Sequence, residues 1–286
     1  MTPWNQATII GVGLIGGSLG MALKQRGLAR HVVGVGHRQV SLDQALARGA
    51  ADRVTLEPEA GVRGSDLVVL ATAIGCFEPI LRQIAPALAR GTVVIDVGST
   101  KARAVARLEP LVPEGCALVG CHPIAGSEQR GVGHARADLF EGAQCVVTPT
   151  ARTPPEAVRR VVATWEAVGM TVRTLTPEAH DRLLAAVSHL PHVTAAALVG
   201  VIGDEAETLA GPGWADTTRI ASGDPALWRD ILLSNAGELD DALGRLEAAL
   251  ARWRDVLRRG DAAAVQAMLA SSKTRRDRLT ERKEGR

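Results

Sequence analysis

The chain reads as a doubly wound, mainly parallel α/β sheet followed by an all-helical C-terminal half. Three observations carry that reading. An apolar run, Ala7 to Ile10, breaks into Gly11-Val12-Gly13-Leu14-Ile15-Gly16, after which Leu19, Leu23 and Leu28 resume at helical spacing. Apolar runs then alternate with helical segments as far as Leu175, the pattern of crossover connections between parallel strands. From Pro177 onward no convincing strand follows.

Taken in order, His31 to Gly36 predicts a second strand, and Ser41 caps a short helix ending at Gly49. Leu67 to Ala71 is continuously apolar, as a strand covered on both faces should be. Phe77 to Ala89 predicts a helix, Thr92 to Val97 a strand, and Lys101 to Leu108 a helix. Ala117 to Cys121, Gln144 to Thr148 and Met170 to Leu175 complete the strands, with a helix over Pro154 to Val168. Glu178 to Val187 and Leu190 to Leu209 read as helices. Asp224-Pro225 is a cap and first-turn pair opening one long amphipathic helix that ends at Gly260. Asp261 caps a last helix, and the charged tail from Lys273 is expected to fray. The boundary between the two halves falls near residue 176, giving domains 1–176 and 177–286.

Length and composition narrow the function. At 286 residues the chain can form two cores. A net charge of +2 gives no footprint for nucleic acid or an anionic membrane. Five Trp, two Phe and no Tyr leave little for a base-stacking surface. Cys76, Cys116, Cys121 and Cys145 have no CxxC spacing and read as buried free thiols, not metal ligands. With no leader pattern and no apolar segment expected to span a bilayer, a cytoplasmic protein is anticipated.

The glycine turn is the first candidate site. In the strand-to-helix context Gly11 bends the turn, Gly13 admits a pyrophosphate to the backbone, and Gly16 allows close helix–strand packing. Gly11, Gly13, Leu14, Ile15 and Gly16, with Ala71 at the end of a neighbouring strand, are the candidate dinucleotide contacts. At the end of the second strand, where an acidic residue would hold a ribose 2′-hydroxyl, stands Gly36, followed by His37-Arg38. Arg38 can pair with a 2′-phosphate, so NADP is admitted beside NAD. The other reading of His37 and Arg38 is a solvated loop.

Four polar stretches remain. Ser99 in Asp96-Val97-Gly98-Ser99-Thr100-Lys101 and His122 in Cys121-His122-Pro123-Ile124-Ala125-Gly126-Ser127-Glu128 both follow strands, where ligands of such sheets bind. A lone His there serves either structure or proton transfer. In Ser188-His189-Leu190-Pro191-His192 the two histidines share a helix face, but no acid or Cys follows at zinc-ligand spacing. Arg219, in Asp216-Thr217-Thr218-Arg219, either clamps a carboxylate or pairs with Asp216.

Together, GVGLIGGSLG, DVGSTK, CHPIAGSE, EAHDRLLAAVSHLPH and ADTTRIASGDPALWRDI, in that order, resemble the prephenate/arogenate dehydrogenase family of tyrosine biosynthesis. The resemblance spans Ala7 to Met268. It implies a Rossmann-type domain joined to a helical dimerisation domain, hence a homodimer. It also implies oxidative decarboxylation of prephenate to 4-hydroxyphenylpyruvate with NAD(P); the alternative is arogenate to tyrosine. By the same resemblance His122 is the hydrogen-bond acceptor or general base for the hydroxyl, and Ser99 helps orient it. Arg219 grips a substrate carboxylate, Ser188, His189 and His192 line the pocket, and Glu128 orders or gates the loop. A β-hydroxyacid dehydrogenase is disfavoured because no Lys lies between Pro177 and Ser272. A non-catalytic dinucleotide-sensing dimer would not need these histidines together with Arg219.

Overall fold

In a computed structural model, which describes residues 2–126 and 129–284, eight strands form one sheet in the order β3-β2-β1-β4-β5-β6-β7-β8. The elements run β1 (Trp4–Ile10), α1 (Leu14–Gln25), β2 (Ala29–Val35), α2 (Gln39–Ala47), β3 (Arg53–Thr55), α3 (Pro58–Val62), β4 (Leu67–Leu70), α4 (Phe77–Ile84), β5 (Val93–Asp96), α5 (Ala102–Leu108), β6 (Ala117–Ile124), β7 (Gln144–Thr148), α6 (Pro155–Ala167) and β8 (Thr171–Thr174). The helices that follow are α7 (Pro177–Leu184), α8 (Leu190–Val201), α9 (Asp204–Glu207), α10 (Pro212–Thr218), α11 (Pro225–Ser234), α12 (Ala236–Arg259) and α13 (Ala262–Glu284). The first six strands are parallel; β7 runs antiparallel to β6, and β8 parallel to β7.

Alternation along the strands divides the core into two layers. Ile9, Val69, Ile95 and Val119 point into one, with Leu19, Leu23 and Trp165. Ile10, Val68, Val94 and Leu118 point into the other, with Phe77, Leu81 and Val105. Neighbouring residues face opposite sides because the strand period is two. That is why the central strands are apolar at every position. The order reverses between β1 and β4, so the crevice of a doubly wound sheet opens where the glycine turn and Ala71 meet.

Several elements depart from the pattern read in the sequence. β6 continues to Ile124 instead of stopping at Cys121, because β7 pairs with it through His122 and Pro123. Arg38, not Ser41, precedes the second helix, with no side-chain cap. The short β3 and α3 had no periodic signal. The long helix expected from Asp224 is broken at Asn235, a buried residue outside helical geometry. Cys121 and Cys145 are buried as expected, but Cys76 is exposed and Cys116 half-buried. A π-helical turn joins α7 to α8, so the helical run Pro177–Val201 is long and apolar enough to cross a membrane by length and composition; the expectation that no segment is so is corrected. The same run carries buried His180, Asp181 and His189.

The chain divides into two compact units, Met1–Ala236 and Gly237–Arg286. In the second, Gly260 turns the chain with φ +65°, and Asp261 Oδ1 accepts the Ala264 N–H at 2.9 Å to start α13. α13 continues to Glu284, where fraying was expected; the Lys273–Asp277 pair one turn apart supports it.

Close packing of α1 gives a direct test. A Cβ at Gly20 would sit 2.0 Å from the Ala50 carbonyl oxygen. Helix propensity alone would reward Gly20→Ala by about 1 kcal/mol; the clash reverses the sign, for a net loss of about 1–3 kcal/mol. The urea midpoint should fall. A raised midpoint would mean that α1 shifts freely.

Candidate active site

The glycine turn makes an anion cradle. Gly11 has φ +103°, and a Cβ there would meet the Ala71 carbonyl oxygen at 2.6 Å. At Gly16 a Cβ would lie 2.1 Å from the Gly11 carbonyl oxygen. Gly13, by contrast, faces open space. Helix α1 begins after Gly13 with no side-chain cap and no acid in its first turn. Its Leu14 and Ile15 N–H groups therefore remain available at the positive end of the helix dipole. Ala71 is fixed beside the turn by donating its N–H to the Ile10 carbonyl at 2.8 Å. His37 and Arg38 are exposed, and the space beside Gly36 is taken by Leu42, 3.0 Å from where a Cβ would stand.

The segment after β6 folds back over this cradle. An added Cβ on Gly126 would touch Ile15 and Leu14 at 3.7 and 4.0 Å, and Ser18 Oγ accepts the Arg136 N–H at 3.0 Å. His122 thus lies two residues before the end of β6, near the edge of the sheet where the cradle opens.

Strand alternation sends Ala117, Val119 and Cys121 into one core layer, and Leu118, Gly120 and His122 to the opposite face. There the half-buried His122 ring meets His180 edge-on, Nδ1 to Nε2 2.8 Å, centroids 5.0 Å apart. His180 is fully buried, and its Nδ1 lies 2.7 Å from Asp181 Oδ1. Asp181 accepts the Lys101 N–H on Oδ1 at 2.7 Å and the Ala102 N–H on Oδ2 at 2.8 Å, where α5 begins. Asn235 donates its side-chain amide to the Asp181 carbonyl at 2.8 Å and lies 3.1 Å from His189 Nδ1. Below the histidines Lys101, fully buried, pairs with Asp96 and donates to the Cys121 carbonyl at 2.6 Å. A Cβ at Gly120 would stand 2.4 Å from Thr148 Oγ1 and 2.9 Å from Val105 Cγ2, so glycine there leaves room for both.

Burial, with neighbouring charge, favours the neutral form of His122, His189 and His192. Burial first, then the neighbouring His180, Lys101 and His189, hold His122 well below the usual imidazole range. Burial also pushes His189 down to about 4, with Asp181 opposing and His180 and His192 reinforcing the shift. Burial lowers His192 as well. A neutral imidazole at pH 7 is a proton acceptor.

Ala185–His189 form the π-helical turn, a widening that frequently marks functional sites. Beyond it His192 stacks on Trp228, centroids 3.5 Å apart and planes 11° apart, while His189 meets the same indole edge-on at 6.3 Å. The two histidines share a face, as their spacing required. Gly223 permits the stack, since a Cβ there would lie 2.3 Å from Trp228 Nε1. His192 Nδ1 is buried and has no partner among the described residues. Ser99 and Ser188 are half-buried. Arg219 is exposed at the end of α10 and, among the described residues, forms no ion pair with Asp216 or any other acid. Arg130 pairs instead with Asp224, the N-cap of α11. Glu128 lies outside the described residues. His180, Asp181, Asn235, Trp228 and Lys101 were not singled out in the sequence; the adjacent His-Asp pair inside an amphipathic helix was the one available signal.

Residues 19–174 match the family model of the prephenate dehydrogenase nucleotide-binding domain, and residues 176–271 that of the prephenate dehydrogenase dimerization domain. The chain belongs to the prephenate dehydrogenase family. It is 33% identical to the cyclohexadienyl dehydrogenase of Zymomonas mobilis over 264 residues, 90% of each chain. It is 31% identical to the prephenate dehydrogenase of Bacillus subtilis, covering 97% of this chain and 76% of that one. Among solved structures it is similar to prephenate dehydrogenase from Aquifex aeolicus in complex with hydroxyphenyl propionate and NAD+, with a TM-score of 0.90 and 32% identity over 96% of this chain and 98% of that one. Family membership makes the chain an oxidoreductase with a nucleotide-binding domain of Rossmann type.

The buried histidines tie stability to pH. The unfolded chain takes up a proton near the ordinary imidazole value of 6.5, whereas folded His189 refuses it until about pH 4. Stability should therefore fall as pH drops through 6.5 towards 4, with His122 and His192 acting in the same direction. Urea midpoints between pH 7.5 and 5 should decline, less steeply in His189→Asn. Equal slopes would remove His189 from the account.

Proposed function

We propose that the chain oxidatively decarboxylates prephenate to 4-hydroxyphenylpyruvate, with hydride transfer to NAD(P), in tyrosine biosynthesis. The observation that carries this reading is a neutral imidazole, His122, near the end of β6, after which Gly126 lies against the glycine cradle. The open space at Gly13 and the uncapped start of α1 fit a dinucleotide pyrophosphate, held by Gly11, Gly13, Leu14, Ile15 and Gly16 with Ala71 alongside. When bound, the oxidised nicotinamide supplies the hydride acceptor.

His122 accepts the proton of the ring hydroxyl as hydride leaves the same carbon, so that the C–O bond becomes a carbonyl. The electrons released when the ring carboxylate departs as carbon dioxide move into that carbonyl and make the ring aromatic. His122 then returns its proton to the phenolate oxygen. Ser99, in the turn between β5 and α5, orients the hydroxyl. Arg219, exposed and without an ion pair among the described residues, is suited to a substrate carboxylate. The unpartnered Nδ1 of His192 offers a polar contact to the substrate side chain. Ser188 lines the same pocket, while His189, buried against Asn235 and Trp228, supports it from behind. Glu128 orders the loop or gates entry.

Two finer readings follow. No carboxylate stands at Gly36 to repel a 2′-phosphate and Arg38 is exposed, which supports use of NADP as well as NAD. The matched dimerization domain supports a homodimer, and so do Val199 and Val201, exposed on α8.

Initial rates from reduced-nicotinamide absorbance, with prephenate and arogenate crossed against NAD and NADP, test the reaction. No turnover with either acid would end the proposal, and a strong NAD preference would remove NADP. His122→Asn should lower kcat by about 10²–10⁴ while NAD affinity barely moves. Arg219→Gln should act mainly through KM, since a carboxylate grip forms in the ground state too. An unchanged KM would put Arg219 outside the pocket.

A further inference from the structure

We infer that His180 and Asp181 are positioning residues that set the tautomer of His122. They keep its Nδ1 protonated, so that Nε2 presents the lone pair to substrate. The inference rests on the reading of His122 as proton acceptor, but its structural half stands without substrate.

The direction of each hydrogen bond follows from donor counting. Both Asp181 oxygens already accept backbone N–H groups, from Lys101 and Ala102. A carboxylate engaged in this way acts as an acceptor. His180 Nδ1, 2.7 Å from Oδ1, must then donate. An imidazole that carries its single N–H on Nδ1 leaves Nε2 as an acceptor. His122 Nδ1, 2.8 Å away, must donate to it. His122 Nε2 is then the ring's unprotonated nitrogen.

Geometry fixes the chain of bonds at its far end. Asp181 is clamped by the first two N–H groups at the start of α5, and its own carbonyl accepts from Asn235. His180 is wholly buried and Asp181 nearly so, so no bulk water competes for either nitrogen of His180. A free imidazole prefers the opposite tautomer, with the proton on Nε2, which would meet a substrate hydroxyl with a donor instead of a base. The same logic orients a general base through a buried carboxylate in hydrolytic triads. Here a second imidazole is interposed between carboxylate and base.

The test reads the tautomer directly. In full-length protein carrying 15N-histidine, with NAD bound, the His122 ring nitrogens are assigned among the seven histidines by their loss in His122→Asn. At pH 8 the expected signature is a protonated Nδ1 and a bare Nε2. In His180→Leu the proton should move largely to Nε2, and kcat should fall about 10–10³-fold with KM changing less than about threefold. His180→Gln, whose side-chain oxygen can accept from Nδ1, should restore the tautomer and most of kcat. A wild-type proton on Nε2, or a tautomer unmoved in His180→Leu, would overturn the inference. So would a Gln variant no better than Leu, the pattern of a purely structural residue. If the tautomer behaves as stated but His122→Asn turns over normally, the relay stands and the catalytic reading of His122 falls.

Discussion

The site hangs on the carboxylate of Asp181. It lies on α7 yet accepts the two backbone N–H groups that open α5, so a helix beyond the sheet is locked to the turn after β5. Charge-assisted bonds of this kind are stronger than neutral ones. An Asp left buried without them would carry a desolvation penalty of several kcal/mol. From this anchor the order spreads outward through His180 to His122, and through Asn235 to His189 and the π-helical turn.

A second buried ion pair, Lys101 with Asp96, lies directly beneath. Such a pair seldom adds much stability over an apolar replacement, but breaking it leaves a lone buried charge. Lys101 also holds the carbonyl of Cys121, the residue before His122, and Gly120 is glycine because Thr148 and Val105 occupy the space a Cβ would need. The charge sits where it steadies the strand end and helps keep His122 neutral. Structure and chemistry here share the same atoms.

Much of this was legible in the residues alone. Gln144 to Thr148 was read with its exact bounds, and the central strands were plain because burial on both faces makes them apolar at every position. The glycine turn was legible because Gly11 takes a positive φ in the turn and Gly16 must clear the Gly11 carbonyl five residues earlier. What escaped had long-range causes. β6 runs past Cys121 only because β7 pairs with it from the other direction. The helix from Asp224 stops at Asn235, whose amide is engaged by residues 46 and 54 positions away. Three-residue β3 has too few positions to show a period.

The chain by itself determined the order of strands and helices, the cradle for a dinucleotide and the family to which it belongs, because each depends on local spacing or on motifs contiguous in sequence. Tertiary structure alone decided which nitrogen of His122 is tied, that His180 and Asp181 stand behind it, and that His192 stacks on Trp228. Those facts are contacts between residues 36 to 80 positions apart, and no local pattern encodes a distance across the fold.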